Sequence, residues 1–287
     1  MNGASQEMRF KLPSLEVAAR VWGKAGGVPV IGLHGWLDNA ATFDLIAPRL
    51  SNVQLVALDL PGHGFSDHLP AGGYSLWQQA ATVLQVAEEM GWARFALLGH
   101  SMGAIISTIL SGSLPERIMG AAMIDGLLPI TAEAEDSPQQ MARFLKASLT
   151  VANKRKPVYT SPEQAVAARV EGGNTPITME AARHLVERGL MPDHGGWTWR
   201  TDPQLMLPSA VRLTMGHAFA FAQAISSPAC LVLANQGVMQ RHPLLFDRIE
   251  KLENIRVHRV DGGHHLHLES QAPEVATILD SFYRTLA

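Results

Sequence analysis

The pentapeptide Gly99-His100-Ser101-Met102-Gly103 carries a serine whose hydroxyl could act as a nucleophile. It follows the apolar run Phe95–Leu98 and precedes a helical stretch, so Ser101 falls on a turn from strand to helix. Glycines on both sides allow the sharp, strained turn that lifts such a hydroxyl above the edge of a sheet. The backbone N–H of Met102, at the start of the helix, can stabilise a developing oxyanion. The pattern predicts acyl transfer through Ser101, and the alternative is a glycine-rich turn with a chance serine.

Imidazoles that could activate this serine lie in the segment Asp261-Gly262-Gly263-His264-His265-Leu266-His267. A serine is a poor nucleophile until a base takes its proton, and imidazole titrates in the right range. The segment follows the strand-like run Ile255–Val260, which would bring it to the same sheet edge as Ser101. His264 directly follows the glycine turn and is one candidate for the base. His265 would point to the opposite side and His267 would start the next helix, so they and His242 are the alternatives.

A metal site is the other interpretation of this segment, because His264, His265, His267 and Glu269 lie close together in the sequence. A metal site usually draws on a second group of ligands, and no other set of His, Cys, Asp and Glu shows ligand spacing. We therefore expect no metal and no cofactor.

Two further loops follow apolar runs. His34-Gly35-Trp36-Leu37-Asp38 follows Val28–Leu33, and the N–H of Trp36 there could be the second oxyanion donor. We expect His34 to bond to loop backbone and not to be the base. Asp59-Leu60-Pro61-Gly62-His63-Gly64-Phe65-Ser66 follows Val53–Leu58. Its glycines and proline predict a rigid turn, so Asp59, His63 and Ser66 are expected to fix loop geometry.

These residues require a sheet whose strand ends bring the loops together. Short apolar runs alternate with helical stretches through the first third of the chain, which predicts a mostly parallel, doubly wound α/β sheet. The expected strands are Glu7–Leu12, Leu15–Trp22, Val28–Leu33, Val53–Leu58, Phe95–Leu98, Ala121–Ile124, Ala229–Ala234 and Ile255–Val260. The expected helices are Ala40–Leu50, Leu76–Met90, Met102–Ser111, Pro243–Leu252 and Pro273–Leu286.

Residues 131–220 differ in composition: they are rich in Ala, Glu, Gln and Arg and are interrupted by seven prolines. No run typical of a buried strand occurs there, so we expect an all-helical insertion. The predicted organisation is an α/β core of residues 1–126 and 221–287, split by a helical cap of residues 127–220.

The amino-acid composition favours a globular protein and argues against several other classes. The 287 residues are 47% hydrophobic and 17% charged, which is enough apolar material for a buried core. Lys and Arg number 23 against 26 Asp and Glu, a net charge of −3 that argues against a nucleic-acid partner. Cys230 is the only cysteine, so an intrachain disulfide is excluded. Without a long apolar run or a signal-peptide pattern, we expect a cytoplasmic protein with no stable membrane insertion.

The motifs HGWLDNAATF, DLPGHGFS, GHSMG and DGGHHLHLE together resemble the α/β-hydrolase superfamily over residues 28–125 and 229–270. Within it, the chain is similar to the serine hydrolase-like relatives of haloalkane dehalogenases, and Trp197–Pro203 resembles their lid. The resemblance implies the α/β-hydrolase fold, the chain order serine, acid, histidine, and a base at His264. Dehalogenases need an aspartate nucleophile, so Ser101 argues against dehalogenation and epoxide opening.

The acid departs from the commonest family position. The loop after Ala229–Ala234 reads Asn235-Gln236-Gly237-Val238-Met239 and contains no carboxylate. Asp125 ends the run Ile118–Ile124, one strand from the nucleophile at the same sheet edge, and some dehalogenase relatives place their acid after this strand. We expect Asp125 to be the acid. The alternatives are Asp247, Asp261, a serine–histidine dyad, or a simple turn at Asp125-Gly126.

The residues thus predict a carboxylesterase-like serine hydrolase that cleaves an ester or related acyl bond of a small molecule through an acyl-enzyme. A pocket between cap and core could contact the acyl group through His100, Phe144, Trp197 and Trp199, although ordinary cap packing is the simpler interpretation. Other enzyme hypotheses use the same serine on a peroxide, amide, thioester or C–C bond. The non-enzymatic alternative is a weak hydrolase that serves as a binding or interaction protein.

Overall fold

An eight-stranded sheet forms the centre of the protein. The computed structural model describes residues 4–70, 73–151, 153–172, 175–241, 249 and 251–287. The strands are β1 (Gln6–Lys11), β2 (Glu16–Gly23), β3 (Val28–Leu33), β4 (Val53–Leu58), β5 (Phe95–His100), β6 (Ile118–Ile124), β7 (Leu190–Asp193), β8 (Gly196–Trp199), β9 (Ala229–Ala234) and β10 (Ile255–Val260). The large sheet has the order β1-β2-β4-β3-β5-β6-β9-β10, and only the β1–β2 and β2–β4 pairs in it are antiparallel.

Helices cover both faces of this sheet. They are α1 (Leu76–Glu89), α2 (Met102–Ser113), α3 (Ser137–Val151), α4 (Pro162–Gly172), α5 (Met179–Gly189), α6 (Met215–Gln223) and α7 (Ala272–Arg284). On one face Ile31 of β3 packs with Ile106 of α2, and on the other Val30 packs with Leu279 of α7. Successive strand residues point to opposite faces, so a strand covered on both sides needs a continuous apolar run. The predicted doubly wound, mostly parallel sheet is confirmed.

The connection from β6 to β9 contains α3 to α6 and a hairpin of β7 and β8. The expectation of an all-helical insertion is therefore wrong for residues 190–199. His194 and Gly195 form the turn with φ of 42° and 82°, as a two-residue turn between right-twisted strands requires. These four-residue strands contain no long apolar run, so composition alone did not distinguish them from helix or loop.

Arg188 of α5 anchors this insertion to the core. Its buried Nε lies 2.9 Å from both carboxylate oxygens of Asp59, and its Nη1 lies 2.7 Å from Glu7 of β1. The guanidinium also stacks 4.5 Å from the ring centre of Phe65. Removing one partner of a buried ion pair typically costs about 3–5 kcal/mol. The pair therefore fixes α5 against the end of β4.

The boundary expected at residue 220 falls inside α6. Ala218 and Ala222 of this helix belong to the same buried apolar cluster as Ala104 of α2. The backbone of Phe221 approaches Gly112 so closely that a Cβ on this glycine would overlap the Phe221 carbonyl oxygen. α6 therefore packs against α2 of the core, and the insertion ends before this helix.

One expected helix is interrupted, and another lies largely outside the described residues. The segment expected as one helix, Ala40–Leu50, consists of two 3-10 helices, Ala40–Phe43 and Ala47–Arg49, because Pro48 lacks an N–H for a continuous helix. The expected helix Pro243–Leu252 lies largely outside the described residues. Across the part of the chain that the structure describes, no helix has the length and apolarity needed to cross a bilayer.

Candidate active site

Ser101 lies on a strained turn between β5 and α2. Its backbone has φ of 52° and ψ of −113°, a conformation that residues other than glycine seldom adopt. The neighbouring glycines are sterically required, because a Cβ on Gly103 would overlap the Leu33 carbonyl oxygen and one on Gly99 would overlap that of Gly103. The Ser101 N–H donates to the carbonyl of Ile124 at 3.0 Å, which ties the turn to β6. The predicted strand–turn–helix context of the serine is confirmed.

Asp125 directly follows β6, and its carboxylate meets the imidazole of His264. Oδ2 of Asp125 lies 2.6 Å from Nδ1 of His264. Asp125 is fully buried and His264 is 6% exposed. A hydrogen bond between a carboxylate and a ring N–H at this distance is short and strong. Because Nδ1 then carries the hydrogen, Nε2 of His264 is the nitrogen that can accept a proton.

The loop after β9 contributes hydrogen-bond donors to Asp125. The N–H groups of Val238 and Ala234 lie 2.9 and 3.3 Å from its carboxylate oxygens. Gly237 makes room for the carboxylate, since a Cβ there would overlap it. Asp125 itself has φ of 41°, and its N–H donates to the Val232 carbonyl at 2.8 Å. The loop that lacks a carboxylate is therefore shaped to receive one from the neighbouring strand.

Of the remaining candidates for the acid or the base, one is exposed and two lie outside the described residues. Asp261 is exposed and accepts a hydrogen bond from the Asn235 side chain. His242 and Asp247 lie outside the described residues. Gly126 packs on the nucleophile turn, where its Cβ position would be 2.5 Å from the Ser101 carbonyl oxygen. The Asp125-Gly126 dipeptide thus packs against the serine turn, and is more than a simple link to the insertion.

His100, the residue before the serine, lies behind the loop after β10, which contains the proposed base His264 and is called the base loop below. Its Nε2 donates to the backbone carbonyl of His264 at 3.0 Å, and the two ring centres are 4.6 Å apart. Burial lowers the pKa of His100 to about 4, and the nearby Asp38 carboxylate offsets this only in part. The ring is fully buried. It was expected beside a bound acyl group, but it supports the loop of His264 instead.

His265 and His267 pack around the same ring. Their ring centres lie 5.1 and 4.2 Å from that of His100. Nε2 of His267 is 2.8 Å from the Thr42 hydroxyl, and burial lowers the pKa of His267 well below its usual value. Among the residues described, Asp125 bonds to His264 and to neither of these rings.

Two histidines hold the loop after β3. Nε2 of His34 accepts from the Leu60 N–H at 3.0 Å, and Nε2 of His63 accepts from the Leu37 N–H at 3.2 Å. Burial lowers the pKa of His34 to about 4 and that of His63 to about 3. Both rings are therefore neutral acceptors, and the structural role expected of His34 is confirmed. The indole N–H of Trp36 in this loop donates to the Leu205 carbonyl at 3.1 Å.

The turn after β4 is fixed by its own polar side chains. The Asp59 carboxylate accepts from the N–H groups of Ala40 and Phe65, both at 2.8 Å. The Ser66 hydroxyl accepts from the Ala18 N–H at 2.8 Å and donates to the Asp59 carbonyl. The expected role of these residues in loop geometry is confirmed.

The aromatic residues expected to line a substrate pocket are separated. Trp197 and Trp199 pack against the buried apolar cluster of α4 and α5. The Trp199 indole N–H donates to the Tyr159 hydroxyl at 3.2 Å. Phe144 of α3 instead faces Gly73, with its ring 3.6 Å from the Cβ position of that glycine. The two tryptophans therefore form part of the insertion's own core.

A group able to bind metal is present, but not the one that the sequence suggested. Asp38, His100 and His265 each offer a ligand atom, and these atoms lie within 4.8 Å of one another in buried surroundings. Glu269 instead accepts from the Thr178 N–H at 2.8 Å. Sequence spacing missed this group because its members are far apart in the chain. The pattern that could have found it is that all three sit at ends of parallel strands.

Sequence comparisons identify the family. The α/β hydrolase fold family matches residues 28–167. A serine hydrolase-like protein of Danio rerio is 31% identical over 98% of this chain and 89% of its own length. A serine hydrolase-like protein of Dictyostelium discoideum is 30% identical over 94% of this chain and 79% of its own length.

Two solved structures are similar to this chain over almost its full length. The crystal structure of a hypothetical protein from Pseudomonas aeruginosa PAO1 has 49% identity and a TM-score of 0.94, covering 97% of this chain and 99% of that one. The thioesterase domain from the curacin biosynthetic pathway shares the fold, with a TM-score of 0.83 at 23% identity over 98% and 99% of the two chains. The chain belongs to the α/β-hydrolase superfamily and, within it, to the serine hydrolase-like proteins.

Proposed function

We propose that this protein cleaves a carboxylic ester through an acyl-enzyme, with Ser101 as nucleophile, His264 as base and Asp125 as acid. The observation that carries the proposal is the 2.6 Å contact between Asp125 Oδ2 and His264 Nδ1. The backbone of the strained Ser101 turn bonds to Ile124, the residue before this acid. A buried carboxylate on the far nitrogen holds an imidazole in the tautomer that accepts a serine proton.

In the acylation step, Ser101 Oγ attacks the carbonyl carbon of the ester while His264 Nε2 takes the hydroxyl proton. Asp125 stabilises the imidazolium. His264 then gives the proton to the leaving alcohol oxygen as the C–O bond breaks, which leaves the acyl group on Ser101. In deacylation a water attacks the acyl carbon and gives a proton to His264. That proton returns to Ser101 as the carboxylic acid leaves.

The oxyanion formed in both steps would be bound by the N–H groups of Met102 and Trp36. Met102 is the first residue of α2, and the first N–H groups of a helix have no partner within it. Trp36 lies in the loop after β3, and β3 is paired with β5, the strand directly before Ser101. Two preorganised donors of this kind stabilise the transition state, and loss of one typically lowers kcat about 10²–10³-fold.

The insertion before α6, residues 127–214, would form a cap over this site, with a small or medium acyl substrate bound between cap and core. The buried bond from Arg188 to Asp59 supports this arrangement, because it fixes α5 beside the loops of the site. Phe144 is the aromatic residue proposed to contact the acyl group, since it projects from α3 towards the core segment at Gly73.

A fluorophosphonate probe and p-nitrophenyl acetate test the proposal together. The probe is expected to modify Ser101, located by peptide mass spectrometry, and the ester is expected to be turned over. Ser101→Ala should abolish the labelling and most of the turnover. The residual rate should be about 10³–10⁴-fold above that of the uncatalysed reaction in water.

Ser111→Ala is the matched control, because this buried serine lies on the same helix and its hydroxyl has no hydrogen-bond partner in the described structure. It should keep both labelling and turnover. A folded wild-type protein that is neither labelled nor active would instead be a binding protein, and the proposal would be wrong.

A further inference from the structure

The Asp38 carboxylate lies in a buried gap between three nitrogen-bearing side chains. Its Oδ2 is 3.5 Å from His100 Nδ1 and 3.4 Å from His265 Nε2, and its Oδ1 is 3.9 Å from Arg169 Nη2. Hydrogen bonds between charged nitrogen groups and a carboxylate are normally about 2.7–2.9 Å. The Asp38 side chain is only 3% exposed. A buried carboxylate is therefore held by contacts that are all longer than good hydrogen bonds.

His100 presents a lone pair to this gap. Its Nε2 lies 3.0 Å from the His264 carbonyl, which is an acceptor, so Nε2 carries the hydrogen of the ring. A neutral imidazole carries one hydrogen, so Nδ1 is then the acceptor nitrogen of the ring. Its Nδ1 has no hydrogen-bond partner within the described structure. Two acceptors, Nδ1 of His100 and the Asp38 carboxylate, therefore face each other across 3.5 Å.

The spacing of the donor atoms suits a tetrahedral metal ion. Ligands placed about 2.0–2.2 Å from a tetrahedral Zn²⁺ lie roughly 3.4 Å from one another. The separations from Asp38 Oδ2 are 3.4 and 3.5 Å, and all three donor atoms lie within 4.8 Å. Imidazole and carboxylate donors suit Zn²⁺ and neighbouring transition metals, whereas Mg²⁺ and Ca²⁺ prefer ligands that are all oxygen.

We propose that Asp38, His100 and His265 bind a Zn²⁺-type transition-metal ion through Oδ2, Nδ1 and Nε2, respectively. The hydrogen bond from His100 Nε2 to the His264 carbonyl orients the ring, as outer-shell partners of metal-bound histidines do. The ion would join the loop after β3, the end of β5 and the loop after β10. It would lie behind the base loop and take no part in acyl transfer, so the inference does not rest on the proposed function.

Arg169 of α4 is the cation with which the metal ion competes. Its Nη2 lies 3.5 Å from His265 Nε2, and its Nη1 donates to the Thr175 carbonyl at 3.3 Å. A guanidinium this close repels a divalent ion, so Arg169 must turn away when the ion binds. Its side chain is 17% exposed, which gives it a route towards solvent. Removing this positive charge should therefore tighten metal binding, whereas removing a ligand should weaken it.

Co²⁺ is a suitable probe, because a tetrahedral Co²⁺ centre absorbs visible light strongly and an octahedral one absorbs weakly. Titration of the metal-free wild-type protein near neutral pH is expected to give one tight equivalent of tetrahedral Co²⁺, which Zn²⁺ displaces. X-ray absorption at the zinc edge of the same protein should show two imidazole ligands at about 2.0–2.1 Å. A weak octahedral spectrum, or a zinc site without two imidazoles, would overturn the proposal without recourse to any variant.

Single substitutions test which side chains bind the metal ion. Asp38→Asn and His100→Gln should each lower the Zn²⁺ affinity about 100-fold or more, since even outer-shell changes cost about 10–100-fold. Arg169→Gln should raise the affinity on the order of tenfold. His267→Gln is the matched control from the same buried cluster, because its Nε2 is already bonded to Thr42. Unchanged affinity in both ligand variants, with the fold verified by circular dichroism, would show that zinc binds elsewhere.

Discussion

Asp125 and His264 are separated by 139 positions in the chain, yet Oδ2 of one lies 2.6 Å from Nδ1 of the other. The contact does not depend on these two residues alone. The Val238 N–H donates to the same carboxylate oxygen at 2.9 Å, and Gly237 leaves the space that the carboxylate fills. The segments that follow β6, β9 and β10 therefore position one hydrogen bond together. A substitution in each segment tests its contribution separately.

Replacing the acid tests the tautomer of the base. Asp125→Asn is expected to keep the fold but lower kcat on the order of 10³–10⁴-fold, because an amide favours the wrong imidazole tautomer. Steady-state kinetics with p-nitrophenyl acetate measure the change. Asp261→Asn is the matched control, since this carboxylate is exposed and bonds only to the side chain of Asn235 in the described structure. Activity that survives Asp125→Asn but not Asp261→Asn or Asp247→Asn would show that the acid lies elsewhere.

The two adjacent histidines are predicted to behave differently. His264→Ala should lose activity as fully as Ser101→Ala does, because residues of a triad act as one unit. His265→Ala should retain measurable turnover, since its ring contacts Asp38 and not Asp125. Kinetics and thermal unfolding of the two variants separate a loss of catalysis from a loss of fold. An inactive, folded His265→Ala beside an active His264→Ala would reverse the assignment of the base.

A methyl group at Gly237 should lower catalysis by displacing the proposed acid, while every proposed catalytic residue keeps its identity. In Gly237→Ala the new Cβ would overlap the Asp125 carboxylate and push it away from His264. A displacement of this kind near the reacting groups can cost about 10²-fold in kcat. Gly216→Ala is the control, because its Cβ would meet nothing nearer than the Thr214 hydroxyl at 3.8 Å. Equal kcat values for the two variants would mean that Gly237 does not position the acid.

The sequence predicted the sheet well because buried parallel strands are encoded locally. The runs Val28–Leu33 and Val53–Leu58 are apolar except for Gln54, and both are strands in the structure. The hairpin of Leu190–Asp193 and Gly196–Trp199 was missed, since it is short and partly exposed and so carries no such run. Pro48 shows the opposite error, where a helix was expected across a residue that interrupts it.

The placement of Asp125 could also be anticipated, because the ends of parallel strands meet at one edge of the sheet. What the sequence could not show is contact between side chains from distant loops. The space that Gly237 leaves for Asp125, and the convergence of Asp38 with His100 and His265, depend on loop conformation rather than on any local pattern. The buried role of His100 was missed for the same reason.

Four buried histidines predict a loss of stability in mild acid. Burial lowers the pKa of His34 and of His100 to about 4, that of His63 to about 3, and that of His267 well below its usual value. In the unfolded chain each titrates near 6.5. The stability that the folded protein gains from keeping these histidines uncharged is therefore fully present above about pH 6.5. As the pH falls from there, the unfolded state binds protons that the folded state excludes, until the lowered pKa values are reached.

Each such histidine lowers the free energy of unfolding by up to about 1.4 kcal/mol per pH unit in the lower part of this window. Urea unfolding followed by circular dichroism should thus show a slope that grows from about one proton near pH 7 to about three near pH 5. His184 acts in the opposite direction, because its hydrogen bond to Asp44 raises its pKa. Asp38 contributes little between about pH 7 and pH 5. Burial raises its pKa, but the neighbouring His265 and His100 lower it by more, so its stabilisation is lost only as the pH falls to about 4 and below. His63→Asn should reduce the slope by about one proton whatever its effect on stability, whereas His194→Asn, at a side chain 91% exposed, should leave the slope unchanged. If His63→Asn and the wild type gave the same slope, the His63 ring would not be a buried, neutral acceptor for the Leu37 N–H.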